Sequence, residues 1–235
     1  MSDTVPAKLK CPHCKTIFEI EIFYNLNMRR RPGIRQQILD EHFQQYSCPA
    51  CNRQVQAAPI MLYTDFQRRQ WYALFPEAAF VYRSALASRV LEGFDSNMRE
   101  NCPPMVKAWA SHFEVRLAFG VPALREKLIA FDANIDDRIL EVFKLQLMRD
   151  TKMGSITPTT NIFLHSCSEH TLQFLHINNI NGGMEVVHQV ETPRSGLEQL
   201  GEHLSNLESS MPSLFNSPVV HWRAPLVPDL PMDVE

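Results

Sequence analysis

Four cysteines occur as two Cys-Pro-x-Cys pairs in the first part of the chain. Cys11 and Cys14 form the first pair, and Cys48 and Cys51 form the second pair after a long insert. Two C-x₂-C pairs are the spacing with which thiolates surround a tetrahedral zinc ion, and closed four-thiolate sites leave no open position for a substrate. The pattern therefore predicts one structural zinc ion rather than a catalytic metal.

The first pair also matches the Cys-Pro-His-Cys redox motif of thioredoxin-like oxidoreductases. That chemistry requires the first cysteine at a helix N-terminus after a buried strand, where its pKa falls. Residues 7–10, which precede Cys11, are polar and too few for a central strand. Because a second, matching pair follows, the redox hypothesis is the less favoured alternative.

A basic insert between the cysteine pairs is the best candidate for binding a partner. Its members are Arg29, Arg30, Arg31 and Arg35. With Tyr24 and Phe43 nearby, these arginines could hold phosphates while the aromatic rings stack on bases. The alternative is a solvated loop or a loop that faces an acidic protein, since the whole chain has a net charge of −3.

Other reactive side chains lack an obvious metal-binding or catalytic spacing. Five of them fall in one predicted β-meander: His165, Cys167, His170, His176 and His188. They would form a second metal site only if strand register aligned them, and scattered histidines are the simpler interpretation. Cys102 and Cys167 are expected to be buried, apolar side chains.

Charged residues of two helical segments are interpreted as surface residues. Asp137, Glu141 and Lys144 have the spacing of a solvated helix face. Glu126 and Lys127 are explained in the same way. Because no nucleophile lies beside a base in these patterns, we expect no enzyme.

The composition is that of an ordinary globular protein. The 235 residues are 45% hydrophobic and 21% charged. We find no apolar signal segment and no apolar run of about 18 residues, so we expect neither export nor a membrane-spanning helix. A reducing cytoplasm is the expected location, where paired cysteines bind metal more often than they form disulfides.

Hydrophobic periodicity predicts an α+β protein. An N-terminal zinc ribbon with β-hairpins packs on a helical segment, and an antiparallel β-meander, a helix and an extended Pro-rich tail follow. The predicted domains are 1–79, 80–154, 155–209 and 210–235.

Residue spacing also predicts individual helices. One helix, ended by Gly120, follows from four apolar residues at four-residue intervals that should face the core. These are Met105, Trp109, Phe113 and Leu117. Two more helices are expected, one that begins near Pro122 and one that is capped by Asp132 or Asn134. The final helix carries a stripe of leucines that, with Trp222 in the tail, could dock a partner. The stripe consists of Leu197, Leu200, Leu204 and Leu207.

The cysteine pairs and the helical segment together resemble the CpXC family, a bacterial and archaeal group named after its two Cys-Pro-x-Cys motifs. The second anchor of the resemblance is the segment 118–128, AFGVPALREKL, followed by 134–141, NIDDRILE, and by Lys144. The resemblance covers about residues 9–150. It implies a zinc-binding domain and supplies no established reaction.

These observations predict a non-catalytic, zinc-stabilised interaction or adaptor protein of a prokaryotic cytoplasm. Its partner is expected to be another protein, with toxin immunity or defence as one setting. The alternative is a nucleic-acid-binding zinc-ribbon regulator that uses the insert Arg29–Arg35. An enzyme whose residues meet only in three dimensions is a third hypothesis, and no membrane partner is expected.

Overall fold

The computed structural model describes residues 3–149, 160–180 and 183–232. The chain divides into two compact units, Met1–Leu124 with Asp229–Glu235 and Arg125–Pro228. Each unit contains helices and at least one sheet, which confirms a mixed α and β fold. The predicted domain boundaries stay predictions, and the boundary after residue 154 lies outside the described residues. None of the helices in these ranges has the length and apolar character that crossing a bilayer requires.

The first unit begins with two small antiparallel hairpins. In chain order, its N-terminal elements are β1 (Thr4–Lys10), β2 (Ile17–Phe23), β3 (Asn25–Asn27), α1 (Pro32–Leu39), β4 (Gln45–Ser47) and β5 (Gln54–Gln56). β1 pairs with β2, and the pairing ends with Lys10 opposite Ile17. β4 pairs with β5, ending with Ser47 opposite Gln54. Each hairpin therefore closes around one cysteine pair.

A four-stranded sheet forms the core of the first unit. Its further elements are β6 (Met61–Asp65), β7 (Gln70–Phe75), a 3₁₀ helix (Glu77–Tyr82), α2 (Arg83–Asp95), a π-helical turn (Ser96–Glu100), α3 (Pro104–Ala110) and β8 (Glu114–Phe119). The strand order is β3-β6-β7-β8, in which β6 and β7 are antiparallel and the outer strands run parallel to their neighbours. Every residue of β7 is buried, and Trp71 packs edge-to-face on Phe94 of α2.

The helix predicted from Met105 to Leu117 is wrong in its second half. α3 ends at Ala110, and Leu117 lies in β8, which pairs with the buried strand β7. Met105 and Trp109 are 68% and 46% exposed, so they do not form the predicted core face. Pairing with β7 satisfies the backbone groups of an apolar segment, and this tertiary context outweighs the helical spacing.

The prediction that Gly120 ends a helix is wrong. Gly120 separates the strand β8 from the helix α4 (Val121–Asp132). Its φ of 91° lies in the left-handed region, which favours glycine. Its N–H donates a hydrogen bond to the Phe75 carbonyl oxygen at 2.8 Å. This residue therefore fixes the change of direction from strand to helix.

The second unit packs helices on an antiparallel meander. Its elements after α4 are α5 (Asp137–Arg149), β9 (Thr160–Cys167), β10 (Thr171–Ile180), β11 (Gly183–Pro193), α6 (Ser195–Gly201), α7 (Leu204–Ser210) and α8 (Pro212–Phe215). The strand order β11-β10-β9 agrees with the predicted meander. The turn predicted at 178–183 is too long, because β10 extends to Ile180 and β11 begins at Gly183, and residues 181–182 lie outside the described residues. Phe143 of α5 packs against Phe174 of β10, and both side chains belong to the buried core.

The predicted docking elements of the second unit are part of its core. The leucine stripe is divided between α6 and α7, and its leucines pack against residues of α5. Trp222 is fully buried, and the helix α8 occupies part of the tail that the sequence predicts to be extended. The prediction that the stripe and Trp222 offer a free docking surface is therefore wrong, because both complete the packing of their own unit.

Candidate metal centre

The first cysteine pair lies in a tight turn between β1 and β2. The Cys11 N–H donates to the Thr16 carbonyl oxygen at 2.9 Å, and the Lys15 N–H donates to the Cys11 carbonyl oxygen at 3.0 Å. Lys15, the residue after Cys14, has a φ of 65°, so the chain reverses through the left-handed region. Pro12 fixes the backbone torsion within the pair. The turn keeps both thiols within reach of one metal ion.

The second cysteine pair has the same backbone arrangement between β4 and β5. The Cys48 N–H donates to the Arg53 carbonyl oxygen at 2.9 Å, and the Asn52 N–H donates to the Cys48 carbonyl oxygen at 2.8 Å. Asn52 follows Cys51 as Lys15 follows Cys14, and its φ is 57°. Asparagine adopts this conformation more readily than most residues. Two distant segments therefore build the same thiol-presenting turn.

The four sulfur atoms converge on one point. The Sγ atoms of Cys11 and Cys51 are 3.7 Å apart, those of Cys14 and Cys48 are 3.5 Å apart, and all four lie within 4.8 Å of one another. Four thiolates about 2.3 Å from a tetrahedral zinc ion would be about 3.8 Å apart. A disulfide would require sulfur atoms about 2.0 Å apart. The cluster therefore has the dimensions of a metal site and not of a disulfide pair.

Hydrogen bonds and burial give the thiols different acidities. The Thr16 hydroxyl, 3.3 Å from Cys14 Sγ, and the Thr16 N–H lower the pKa of Cys14 to about 6. The Cys14 N–H lowers the pKa of Cys11. At Cys51 the Arg53 N–H lowers the pKa, but burial and the neighbouring thiols outweigh it and raise the pKa to about 12. The cluster thus holds protons that a bound cation would displace.

Basic side chains flank the cluster. The Lys15 Nζ donates to the Pro12 carbonyl oxygen at 2.7 Å, and the Arg53 Nη1 lies 3.0 Å from His13 Nδ1. The second contact links the two cysteine turns to each other. Four thiolates around a divalent cation carry a net negative charge, so cations placed beside them are favourable.

The arginine insert is divided between the surface and the interior. Three of its members are exposed in the loop before α1, namely Arg29, Arg30 and Arg31. Arg35, in α1, is only 7% exposed. Phe43 is buried and stacks on Phe23 with ring centroids 5.9 Å apart, so the prediction that Phe43 stacks on bases is wrong. A role of the arginines in binding a partner stays a prediction.

The histidines of the meander do not gather around a common point. Within the described ranges, the four cysteines are the only set of three or more metal-ligating side chains close enough to share one ion. His176 and His188 face each other across β10 and β11, with ring centroids 5.7 Å apart. Burial, and then the neighbouring His188, lower the pKa of His176. Cys102 and Cys167 are half-buried and lie apart from the cluster.

A buried charge cluster in the second unit takes the place of the predicted solvated helix face. The Lys144 Nζ lies 2.6 Å from Glu126 Oε1 and 2.9 Å from Glu141 Oε1. None of the three side chains is more than 3% exposed. The interpretation of these residues as surface charges is therefore wrong. The same sequence spacing serves a solvated ion pair and a buried one, so the pattern alone could not separate them.

Backbone N–H groups from elsewhere in the second unit complete this buried charge cluster. Glu126 Oε2 accepts from the Leu164 N–H at 2.6 Å, and Glu141 Oε2 accepts from the Trp222 N–H at 2.8 Å. Burial outweighs the attraction of Lys144 and raises the pKa of Glu126 to about 7. Burial lowers the pKa of Lys144, but the two carboxylates outweigh it and raise this pKa.

A second buried ion pair ties the C-terminal segment to the same helices. The Lys127 Nζ donates to Asp137 Oδ2 at 2.9 Å and to the Val220 carbonyl oxygen at 3.1 Å. Both charged side chains are buried, which again contradicts their interpretation as surface residues. Charges that are removed from water need such partners, because an unpaired buried charge is strongly unfavourable. We therefore assign Lys127 and Asp137 a structural role.

Comparison with known proteins identifies a family and no individual relative. The family model described as "CpXC protein" matches residues 9–144. No curated protein and no solved structure matches the chain. The matched range contains the four cysteines and the charged residues Glu126 and Glu141, whereas Leu164 and Trp222 lie beyond it. Segments outside the matched range thus supply hydrogen bonds to charged residues inside it.

Proposed function

Because this chain belongs to the CpXC family, we propose that it is a zinc-stabilised binding protein without a catalytic centre. The four-cysteine cluster carries this proposal, since four thiolates would fill every position of one tetrahedral zinc ion. The zinc ligands are Cys11, Cys14, Cys48 and Cys51. The ion joins the β1–β2 hairpin to the β4–β5 hairpin as a zinc ribbon, and its role is structural.

Sparse apolar packing around the cysteines supports a structural metal. Besides the cysteines, the hydrophobic cluster at this point contains Val55 with the half-buried Leu9 and Phe18. So few apolar side chains cannot offset the conformational entropy of ordering two hairpins. Structural zinc sites contribute directly to the free energy of folding, and here the ion would do so between segments that are distant in sequence.

The partner we propose is another protein in a prokaryotic cytoplasm. Ile60 is 65% exposed, and it borders an apolar groove of about 300 Å³ together with Tyr24, Leu62 and Trp71. Apolar surface that is left exposed beside a groove is typical of protein-binding sites. A non-catalytic protein with such a surface acts by occupying its partner, as toxin-immunity and defence proteins do.

Affinity capture from the source organism tests this proposal. The intact protein should retain one partner at the same yield with and without nuclease. Ile60→Glu should lose that partner, because a carboxylate in the apolar groove is unfavourable. The matched control is Ile17→Glu, since Ile17 is 61% exposed on β2 and does not line the groove. Equal capture by both variants, or capture that nuclease abolishes, contradicts a protein partner at this groove.

A nucleic acid is the second candidate partner, and the exposed arginines favour it. In the part of the chain that the structure describes, the guanidinium groups of Arg29, Arg30 and Arg31 have no ion-pair partner. Phosphate contacts made by such side chains weaken steeply as salt rises. Oligonucleotide binding should then fall with salt and weaken similarly in Arg29→Gln and Arg30→Gln. Absence of binding at low salt removes this candidate.

A further inference from the structure

We propose that the first unit contains a pocket for a small phosphorylated molecule, formed by the loop before α1 and the turn between β6 and β7. The pocket has a volume of about 330 Å³. Its lining includes Arg29, Arg35, Arg68, Asp65 and Phe66. The ligand it fits is a phosphate monoester. Neither the zinc ion nor a protein partner is required for this pocket to bind its ligand.

The two walls of the pocket are held in place by hydrogen bonds to β6. The Met28 N–H, at the start of the basic loop, donates to the Thr64 carbonyl oxygen at 2.9 Å. On the other wall, Asp65 Oδ1 accepts from the N–H groups of Gln67 and Arg68, each at 3.0 Å. Both walls are therefore positioned by the same strand before a ligand arrives, which lowers the entropic cost of binding.

Positive charge exceeds negative charge around the pocket. Three arginines and one aspartate are among the residues that line it. That carboxylate is already engaged, because Asp65 Oδ2 also accepts from Arg68 Nη1 at 3.1 Å. The Arg29 guanidinium has no ion-pair partner among the described residues. A phosphate monoester carries about two negative charges at neutral pH and therefore complements the Arg29 guanidinium.

The shape and chemistry of the lining favour a small ligand. Guanidinium groups bind phosphate oxygens through paired N–H donors, which is the strongest form of charge-assisted hydrogen bond in proteins. Phe66 is half-buried and packs edge-to-face on Phe113, so it adds a fixed aromatic wall. The volume lies at the lower end of the roughly 300–1,000 Å³ range of small-molecule sites. We therefore expect a phosphorylated metabolite and not a nucleic-acid strand.

Titration of the full-length, zinc-loaded protein with inorganic phosphate and with phenyl phosphate tests the pocket. Phosphorus NMR at constant ionic strength measures both dissociation constants. Saturable binding is expected, and Arg29→Gln should weaken it about tenfold, because one charge-assisted contact is lost. Arg29→Lys keeps the charge but loses the paired donors, so its phosphate affinity should lie between those of the wild type and Arg29→Gln. If near-UV circular dichroism shows that Arg29→Gln is misfolded, the phosphate affinity of Arg29→Lys is the test of the pocket.

Two matched variants separate the pocket from general basicity. Arg89→Gln removes an exposed arginine of α2, and Arg30→Gln removes the neighbour of Arg29 that does not line the pocket. Arg89→Gln should change phosphate affinity by less than about twofold, since exposed charges at a distance are screened. Arg30→Gln should weaken phosphate binding less than Arg29→Gln, because Arg30 does not line the pocket. A single-stranded oligonucleotide without terminal phosphates should not displace phenyl phosphate. Absence of saturable phosphate binding, equal weakening in the Arg29, Arg30 and Arg89 variants, or displacement by the oligonucleotide overturns the proposal.

Discussion

Replacement of Lys144 by methionine should strongly destabilise the second unit. Methionine keeps much of the aliphatic length of lysine but removes the ammonium group that lies 2.6 Å from Glu126 and 2.9 Å from Glu141. Each carboxylate keeps one backbone donor, the N–H of Leu164 or of Trp222. Two buried carboxylates would then face each other without a cation.

The expected loss of stability follows from this uncompensated charge. Removing one partner of a buried ion pair costs about 3–5 kcal/mol, and we expect Lys144→Met to fall in this range near pH 8. Burial raises the pKa of Glu126, so the folded protein takes up a proton there more readily than the unfolded chain. Protonation removes one unpaired charge, and the loss should therefore shrink as the pH falls towards about 5.

Urea unfolding followed by far-UV circular dichroism measures the effect, with Arg99→Met as the matched control. Arg99 lies 2.9 Å from Asp95, but the two side chains are 54% and 43% exposed. Such a surface pair contributes about 0–1 kcal/mol. The triple variant Glu126→Gln, Glu141→Gln, Lys144→Met should be more stable than Lys144→Met alone, because neutral amides still accept from the backbone N–H groups.

A small effect of Lys144→Met would contradict the burial of these three charges. If Lys144→Met lost less than about 1 kcal/mol, or matched Arg99→Met at both pH values, the three charges could not be buried together as the structure places them. A triple variant less stable than Lys144→Met would show that the loss comes from the shape of the side chains and not from unpaired charge.

Three further predictions concern pH, backbone conformation and the C-terminal segment. Burial raises the pKa of Glu126 from 4.5 to about 7, so the folded state binds this proton more tightly than the unfolded chain does. The stabilisation that comes from this proton is full below pH 4.5 and is lost as the pH rises through 7. Glu126→Gln should remove the pH dependence of the urea midpoint over this range. If the variant keeps the pH dependence of the wild type, Glu126 is not the group that titrates. Gly120→Ala should cost about 1–2 kcal/mol of stability in thermal unfolding, because residue 120 has a positive φ. The control Gly93→Ala should stabilise α2 by up to about 1 kcal/mol, because no atom lies within 4 Å of the new Cβ. Trp222 is fully buried and donates to Asn161 Oδ1 at 3.1 Å, so Trp222→Ala should cost about 3–5 kcal/mol. An unchanged urea midpoint would mean that Trp222 is exposed, as a docking element would be.

The cysteine turns could be predicted from the sequence because their determinants are local. Each turn consists of a few consecutive residues with a proline inside the pair and a left-handed residue after it, Lys15 or Asn52. The strand after the first pair, β2, is rich in β-branched and aromatic residues, which is the sequence pattern of a strand. Only the convergence of the two turns depends on distant segments, and the thiol chemistry itself makes that convergence favourable.

The buried charge cluster could not be predicted because its environment comes from distant residues. On the sequence, Glu141 and Lys144 have the spacing of a solvated helix face. Their burial depends on β9 and on the segment around Trp222, which cover the charges and donate N–H groups to the carboxylates. No local sequence pattern predicts that these distant segments bury the charges.

The error at β8 has a similar cause. Phe113 and Leu117 lie at helical spacing from Trp109, and a helix is a reasonable prediction from that spacing. The segment Glu114–Phe119 becomes a strand because β7 offers an open edge beside it. Long-range pairing thus decides the conformation of a segment whose own preference is ambiguous.

Native mass spectrometry of protein purified without oxygen counts the metal ions that the four-cysteine cluster binds. We expect one zinc ion per chain, loss of that ion in Cys48→Ser, and its retention in the control Cys102→Ser, since Cys102 lies outside the cluster. Loss of zinc should also lower the stability of the hairpins, because a structural site contributes to folding. Less than about half an equivalent of zinc in the wild type, or a full equivalent in Cys48→Ser, contradicts a structural four-cysteine zinc site.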